Sequence, residues 1–153
     1  MSTVSSCHAP FGVGYEGLDL DGFVASLIDA DADVLVDVRL TPISRKRGFS
    51  KRALGEAIEA AGMTYLHLPS LGNPKVNRQG FGGSNVELNH ARAVYARLIS
   101  EKPESQAALA ELAEVARYQR VAVMCFEADQ NRCHRHVVLA ELQRRATVEM
   151  VTA

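Results

Sequence analysis

Short apolar runs alternate along the chain with stretches in which apolar residues recur every three or four positions. Phe11 to Glu16 reads as a first strand, and Leu20, Phe23, Val24, Leu27 and Ile28 then share one face of a helix, with Asp19 or Asp21 available as its cap. Val34 to Arg39 is a second strand, apolar until Asp37. Ser50 can cap a second helix with the stripe Leu54, Ala57, Ile58 and Ala61, ended by Gly62. Thr64 to Leu68 forms a third strand, stopped by Pro69. Leu88, Ala91, Tyr95, Leu98 and Ile99 mark another helix, and Pro103 stands where a further one can begin, with Leu109, Leu112, Ala113 and Ala116 inward. Val121 to Phe126 is a continuous apolar run, suited to a central strand buried on both faces. A last helix turns Val138 and Leu142 inward, and Val148 to Val151 reads as a final strand. Residues 70–86 carry no periodicity and many glycines, so they are expected to form a long loop that serves as a lid or a solvated connection.

Strands alternating with helices predict an α/β fold, Rossmann-like and three-layered, with a mainly parallel sheet of about five strands flanked by helices. No repeat or linker interrupts the pattern, so residues 11–153 are expected to form a single domain behind a flexible segment 1–10. In such sheets ligands bind beyond the carboxyl ends of the strands, where the strand order switches. That rule nominates Tyr15, Glu16, Asp37, Arg39, His67 and the run Cys125 to Glu127, because each ends an expected strand.

Composition changes this picture only at the margins. The chain has 153 residues, 47% hydrophobic and 23% charged, which is ordinary for a globular protein. No uninterrupted apolar stretch approaches the about 18 residues of a membrane span, and Met1 to Pro10 lacks the basic start and apolar centre of a signal peptide. The cytoplasm is therefore the expected compartment, and no membrane partner is expected. Three cysteines are too few for a disulfide scaffold, and in a reducing compartment they are expected to be free, catalytic or metal-bound. A net charge of −1 makes no global case for nucleic acid, so local clusters of cations carry that question.

The residues able to carry chemistry gather in Cys125-Phe126-Glu127 and Asn131-Arg132-Cys133-His134-Arg135. If Asn131 caps the last helix, Cys133 sits in its first turn, where the helix dipole and the neighbouring arginines favour a thiolate. Such surroundings lower a thiol pKa from about 8.5 to roughly 3.5–7.5, which makes Cys133 the expected nucleophile or redox thiol. Cys125, in an apolar strand, reads first as a small buried hydrophobe, with exchange between the two sulfurs as the competing reading. The spacing from Cys125 to Arg132 is one residue longer than in the familiar cysteine phosphatase loop. Cys125, Cys133, His134 and His67 are metal-ligand types, but no Cys-x-x-Cys occurs, and adjacent side chains on a helix point about 100° apart. No metal site is expected on that ground, and no cofactor is implied.

Arg45-Lys46-Arg47 precede Lys51 and Arg52, which fall in the first turn of the second helix, where cations oppose the dipole. A bound phosphate or carboxylate turns that penalty into a site, and Arg39 feeds the same loop. Tyr15, Phe49, Tyr65 and Phe81 stand where they can stack on a base, although most aromatic rings are expected to serve the core. Asp37, two residues before Arg39 on the same strand face, is expected to pair with it. Glu127, further beyond its strand, is the better general base.

Gly14-Tyr15-Glu16-Gly17, Asp37-Val38-Arg39, Gly48-Phe49-Ser50-Lys51, Tyr65-Leu66-His67-Leu68, Leu71-Gly72, Cys125-Phe126-Glu127 and Cys133-His134-Arg135 occur in the order found in the domain-of-unknown-function family 488. The chain resembles that family from roughly Phe11 to Val151. The resemblance implies a compact α/β domain of bacteria and archaea, and it places the family's motif residues at the strand ends nominated above without implying an activity. Asn73 stands where relatives often have a second glycine.

These readings converge on a small enzyme acting on a phosphate-bearing substrate, a nucleotide or nucleic-acid end. Arg39, Arg45, Lys51 and Arg135 are expected to hold the anion, with Tyr15, Asp37 and His67 beside it. Cys133 is the expected reacting thiol, with Cys125 near it and with His134 or Glu127 moving protons. The alternatives are a non-catalytic module that binds a nucleotide or nucleic acid, and a redox-responsive protein in which Cys125 and Cys133 close a disulfide.

Overall fold

The computed structural model describes residues 9–152, so most of the segment expected to be flexible, residues 1–8, lies outside the described residues. Four strands form one fully parallel sheet: β1 (Phe11–Gly14), β2 (Val34–Asp37), β3 (Thr64–His67) and β4 (Val121–Cys125), in the order β1-β4-β2-β3. In register, Val36 lies between Leu66 of β3 and Val123 of β4, and Gly14 faces Cys125. The two central strands are the two most continuous apolar runs, and every residue of each is buried. Their alternation sorts the core: Val34, Val36, Val121, Val123 and Cys125 face one layer, and Leu35, Ala122 and Met124 the other.

The helices cover both faces. On one face lie α1 (Leu20–Asp29) and α2 (Lys51–Ala60), burying Phe23, Leu27, Leu54 and Ile58. Asp19 caps α1 by accepting from the Gly22 N–H at 2.8 Å. On the other face lie α3 (Lys75–Phe81), α4 (Asn85–Glu101), α5 (Pro103–Ala116) and α6 (Arg135–Thr152). The chain thus crosses the sheet from β1 to β3 over one face and returns to β4 over the other. Because β4 slots between β1 and β2, neighbouring strands send their following helices to opposite faces, which opens a crevice at the carboxyl end of β4.

Two expectations are corrected. The sheet has four strands rather than about five, because residues 148–151 continue α6. That helix is supported near its middle by Glu141, which pairs with Arg144 and Arg145 one turn on. Residues 70–86 are not a structureless loop. They contain a 3-10 turn (Pro69–Leu71), all of α3, and the capping box of α4, in which Ser84 and Glu87 each accept from the other's backbone N–H. Gly80, which obscured the periodicity, lies where a Cβ would come within 2.7 Å of the Ala91 side chain, so glycine lets α3 and α4 close on each other. No helix among the described residues is long and apolar enough to cross a membrane.

Candidate functional site

At the crevice lies a cavity of about 160 Å³, walled by residues that follow β1, β2 and β4 and by α3. Its floor is a buried polar network. Arg39 forms a two-pronged pair with Asp37, donating from Nε at 2.9 Å and from Nη2 at 2.7 Å, and also donates to the Phe49 carbonyl at 2.7 Å and to the Tyr15 hydroxyl at 3.1 Å. Tyr65 donates at 2.5 Å to Asp37 Oδ2, the oxygen that also accepts from Arg39 Nη2, and His67 Nε2 meets the Arg39 carbonyl at 2.9 Å. Burial works against the charge of Arg39, but the bonds and charge of Asp37 outweigh it and hold the guanidinium protonated. Burial, aided by the bond to Asp37, pushes the Tyr65 hydroxyl well above the usual tyrosine range.

Beside this network sit the sulfurs. Cys125 ends β4, and Cys133 follows the 3-10 turn Gln130–Arg132, whose cap is Asp129. The two cysteines are bonded as a disulfide, with Cα atoms 7.4 Å apart. Arg135, only 1% exposed, donates from Nη1 to Cys125 Sγ at 3.2 Å and from Nη2 to the Ala128 carbonyl at 3.2 Å, while its Nε is buried without a partner. Its backbone N–H points at Cys133 Sγ, 3.5 Å away, and Glu127 Oε1 lies 3.5 Å from Cys125 Sγ. Burial pushes the Arg135 pKa down against the opposing charges of Glu127 and Asp129.

His134 is held on three sides. Nε2 meets the Val38 carbonyl at 2.9 Å, Nδ1 faces Cys133 Sγ at 3.8 Å, and the ring packs edge-on against Tyr95, with centroids 5.1 Å apart. A carbonyl can only accept, so Nε2 carries the proton and Nδ1 presents its lone pair to the sulfur. Burial lowers the His134 pKa to about 4, which keeps the ring neutral at neutral pH.

The nominated residues divide. Tyr15, Arg39, Cys125, Glu127, Cys133 and His134 line the cavity, and Arg135 touches it through Cys125. Asp37 and His67 lie beneath it, bonded to Arg39. Arg45 and Lys51 are exposed and outside its wall, although Thr41 and Ile43 of the preceding loop line it. Asn131 does not cap the last helix. It belongs to the 3-10 turn, and both Cys133 and His134 precede α6. The expected divergence of adjacent helical side chains therefore does not apply to them. Of the aromatic rings, Tyr15 and Phe49 stack on each other at 4.4 Å inside the core, so neither offers a face to a base.

Two further cations stand in the wall, of which the sequence pointed only to Arg132, as a charge beside Cys133. Arg78 lies on α3, in the segment read as a loop, and donates from Nε to the Asn73 carbonyl at 3.1 Å. Arg132 donates to the Gly83 carbonyl at 2.6 Å. Asn73 itself is 3% exposed and accepts from the Asn77 side chain at 3.0 Å, pinning the entry to α3. The pair Asn73-Pro74 before Lys75 was the available signal, since a helix commonly starts just after such a turn.

A three-layer parallel α/β protein with a cysteine pair and an arginine-walled cavity at the carboxyl edge of its sheet is the class that fold and site define. Within it the chain belongs to the family described as Domain of unknown function DUF488, whose sequence model matches residues 19–142. The match takes in Asp37, Arg39 and the whole cysteine cluster, and begins after β1, which makes it narrower than the run of motifs from Phe11 to Val151. No curated protein and no solved structure matches the chain significantly.

Proposed function

We propose that the protein is a cysteine-dependent enzyme acting on a phosphate-bearing substrate, a nucleotide or a nucleic-acid end. The observation that carries this reading is that cations and reactive groups share one small cavity at the sheet's switch point. Arg78 and Arg132 each spend part of their donor set on backbone carbonyls and keep the rest for an anion. Arg39 has most of its donors committed to Asp37, Tyr15 and Phe49, so it contributes charge and rigidity more than direct bonds. Arg135 places a full positive charge on Cys125 Sγ, which favours the thiolate of Cys125 in the reduced protein, and Glu127 stands beside it to move protons. The emphasis thus passes from Cys133 to Cys125.

The test pairs binding with turnover. Nucleoside monophosphates and 5′-phosphorylated oligonucleotides should bind in a salt-dependent way, and Arg78→Ala with Arg132→Ala should weaken binding about tenfold or more. Cys125→Ser and Glu127→Gln should retain binding and lose turnover. Equal affinity for phosphorylated and unphosphorylated ligands, or an indifferent arginine variant, sinks the reading.

The bond between Cys125 and Cys133 favours a second reading, a redox-responsive protein in which oxidation closes the site. Thiol counting before and after mild peroxide, starting from reduced protein, checks it. Two thiols that persist at Cys125 and Cys133 after the oxidant would rule that response out.

A further inference from the structure

Three groups of metal-binding type meet at the cavity floor: Cys125 Sγ, Cys133 Sγ and a His134 ring nitrogen all lie within 4.8 Å of one another, and all three residues are buried. Each is already held by an outer partner of the kind that orients a metal ligand. The Val38 carbonyl takes the Nε2 proton of His134, so the Nδ1 lone pair faces the sulfurs. The Arg135 guanidinium supports Cys125 Sγ, and its backbone N–H supports Cys133 Sγ.

The spacing fits an ion between the thiols. The Cα atoms stand 7.4 Å apart, wider than the roughly 4.4–6.8 Å usual for a directly bonded pair. Two metal–sulfur bonds of about 2.3 Å at a tetrahedral angle hold sulfurs about 3.7 Å apart, a separation that small side-chain rotations supply. The charges also close: two thiolates neutralise a divalent ion, while Arg135 and Glu127 stand as opposite charges beside Cys125.

We propose that, once a thiol or phosphine reductant has opened the Cys125–Cys133 bond, these two cysteines and His134 bind one soft divalent cation of the zinc class, leaving a coordination position open to the cavity beside Glu127. Reduction delivers two electrons from the reductant, with two protons from its own S–H groups when it is a thiol, or from water when it is a phosphine, giving two thiols and a disulfide or a phosphine oxide. Binding breaks both S–H bonds, forms two metal–sulfur bonds and returns those protons to solvent. His134 loses none, since its proton is on Nε2. Thiolates and imidazole select zinc, cobalt or similar ions over magnesium or calcium, which prefer oxygen. Peroxide takes two electrons from the two thiolates and is reduced to two hydroxide ions, which closes the S–S bond, removes both sulfur ligands and expels the ion. The site deepens the cysteine-dependent reading of the cavity, and only the use of the ion, not its binding, rests on that reading.

Cobalt(II) added to the full chain, reduced with a phosphine, freed of metal by chelation and kept anaerobic, tests the site. One equivalent should give near-ultraviolet thiolate-to-cobalt charge transfer with the visible bands of four-coordinate cobalt, release protons, and be displaced by zinc. The same protein oxidised with peroxide should show none of this, a control that needs no substitution. Cys125→Ser or Cys133→Ser should abolish or sharply reduce the charge transfer, and His134→Asn should weaken cobalt binding by an order of magnitude or more. A reduced wild-type protein without charge transfer overturns the proposal, as does a band that survives in the double cysteine variant, which would place it on Cys7. Binding of a nucleoside monophosphate to the arginine wall is read on the same samples. Phosphate binding without cobalt binding sinks the metal site alone, and the reverse sinks the phosphate-substrate reading alone.

Discussion

Arg135 and His134 are neighbours in sequence, and burial lowers the pKa of both, yet one stays charged and the other neutral. Arg135 stays charged in a nearly solvent-free position because Cys125 Sγ and the Ala128 carbonyl take two of its donors. Removing that charge with Arg135→Met should disfavour the thiolate of reduced Cys125 and slow its alkylation at neutral pH, read by mass spectrometry; an unchanged rate would deny Arg135 that role. His134 stays neutral because burial lowers its pKa to about 4. Between that value and the ordinary one near 6.5, the unfolded chain binds a proton that the folded chain refuses, so stability falls as the pH drops through this window. The loss should reach the order of ~3 kcal/mol, measured by urea denaturation at pH 7 and near pH 4, and His134→Asn should flatten that dependence. Both residues were legible as candidates from Cys133-His134-Arg135. Which sulfur each would serve was not, because that depends on where the turn Gln130–Arg132 ends and α6 begins.

Elements place the site by how closely their backbones approach. Gly14, the last residue of β1, lies under the Glu127 backbone, and a Cβ there would overlap the Glu127 carbonyl. Gly14→Ala should therefore push the segment from Phe126 to Ala128 outward and cost ~1–3 kcal/mol, measured by denaturation, with a parallel fall in whatever activity depends on Glu127. A variant as stable as the parent would show that the two segments part freely. The same close approach explains what periodicity revealed and what it hid. Strands β2 and β4 and helices α1, α2, α4 and α5 are visible because each carries its own apolar stripe. Helix α3 was hidden because it has only seven residues, one of them a glycine set against α4, and its stability comes from that packing and not from its own pattern.

At the scale of the whole molecule, Asp37 ties the sheet edge together: it holds Arg39, receives Tyr65 from β3, and reaches Tyr15 beyond β1 through Arg39. Asp37→Asn leaves a buried guanidinium without its counter-charge and should cost ~3–5 kcal/mol, read as a lowered urea midpoint with an unchanged slope. A shift within error of zero would mean that Tyr15 and the Phe49 carbonyl suffice for Arg39. By itself the sequence determined that the fold is a parallel α/β sheet, that the candidate residues stand at strand ends, and that Asp37 and Arg39 share a strand face and so can pair, because strand and helix periods and i to i+2 neighbours are local properties of a chain. Only the tertiary structure decided that β4 enters between β1 and β2, that Cys125, Cys133 and His134 converge, and that Arg78 and Arg132 wall the cavity while Arg45 and Lys51 stay outside it. Those outcomes depend on which distant strands pair and which faces the helices take. That is settled by the burial of the whole core, and no local pattern encodes it.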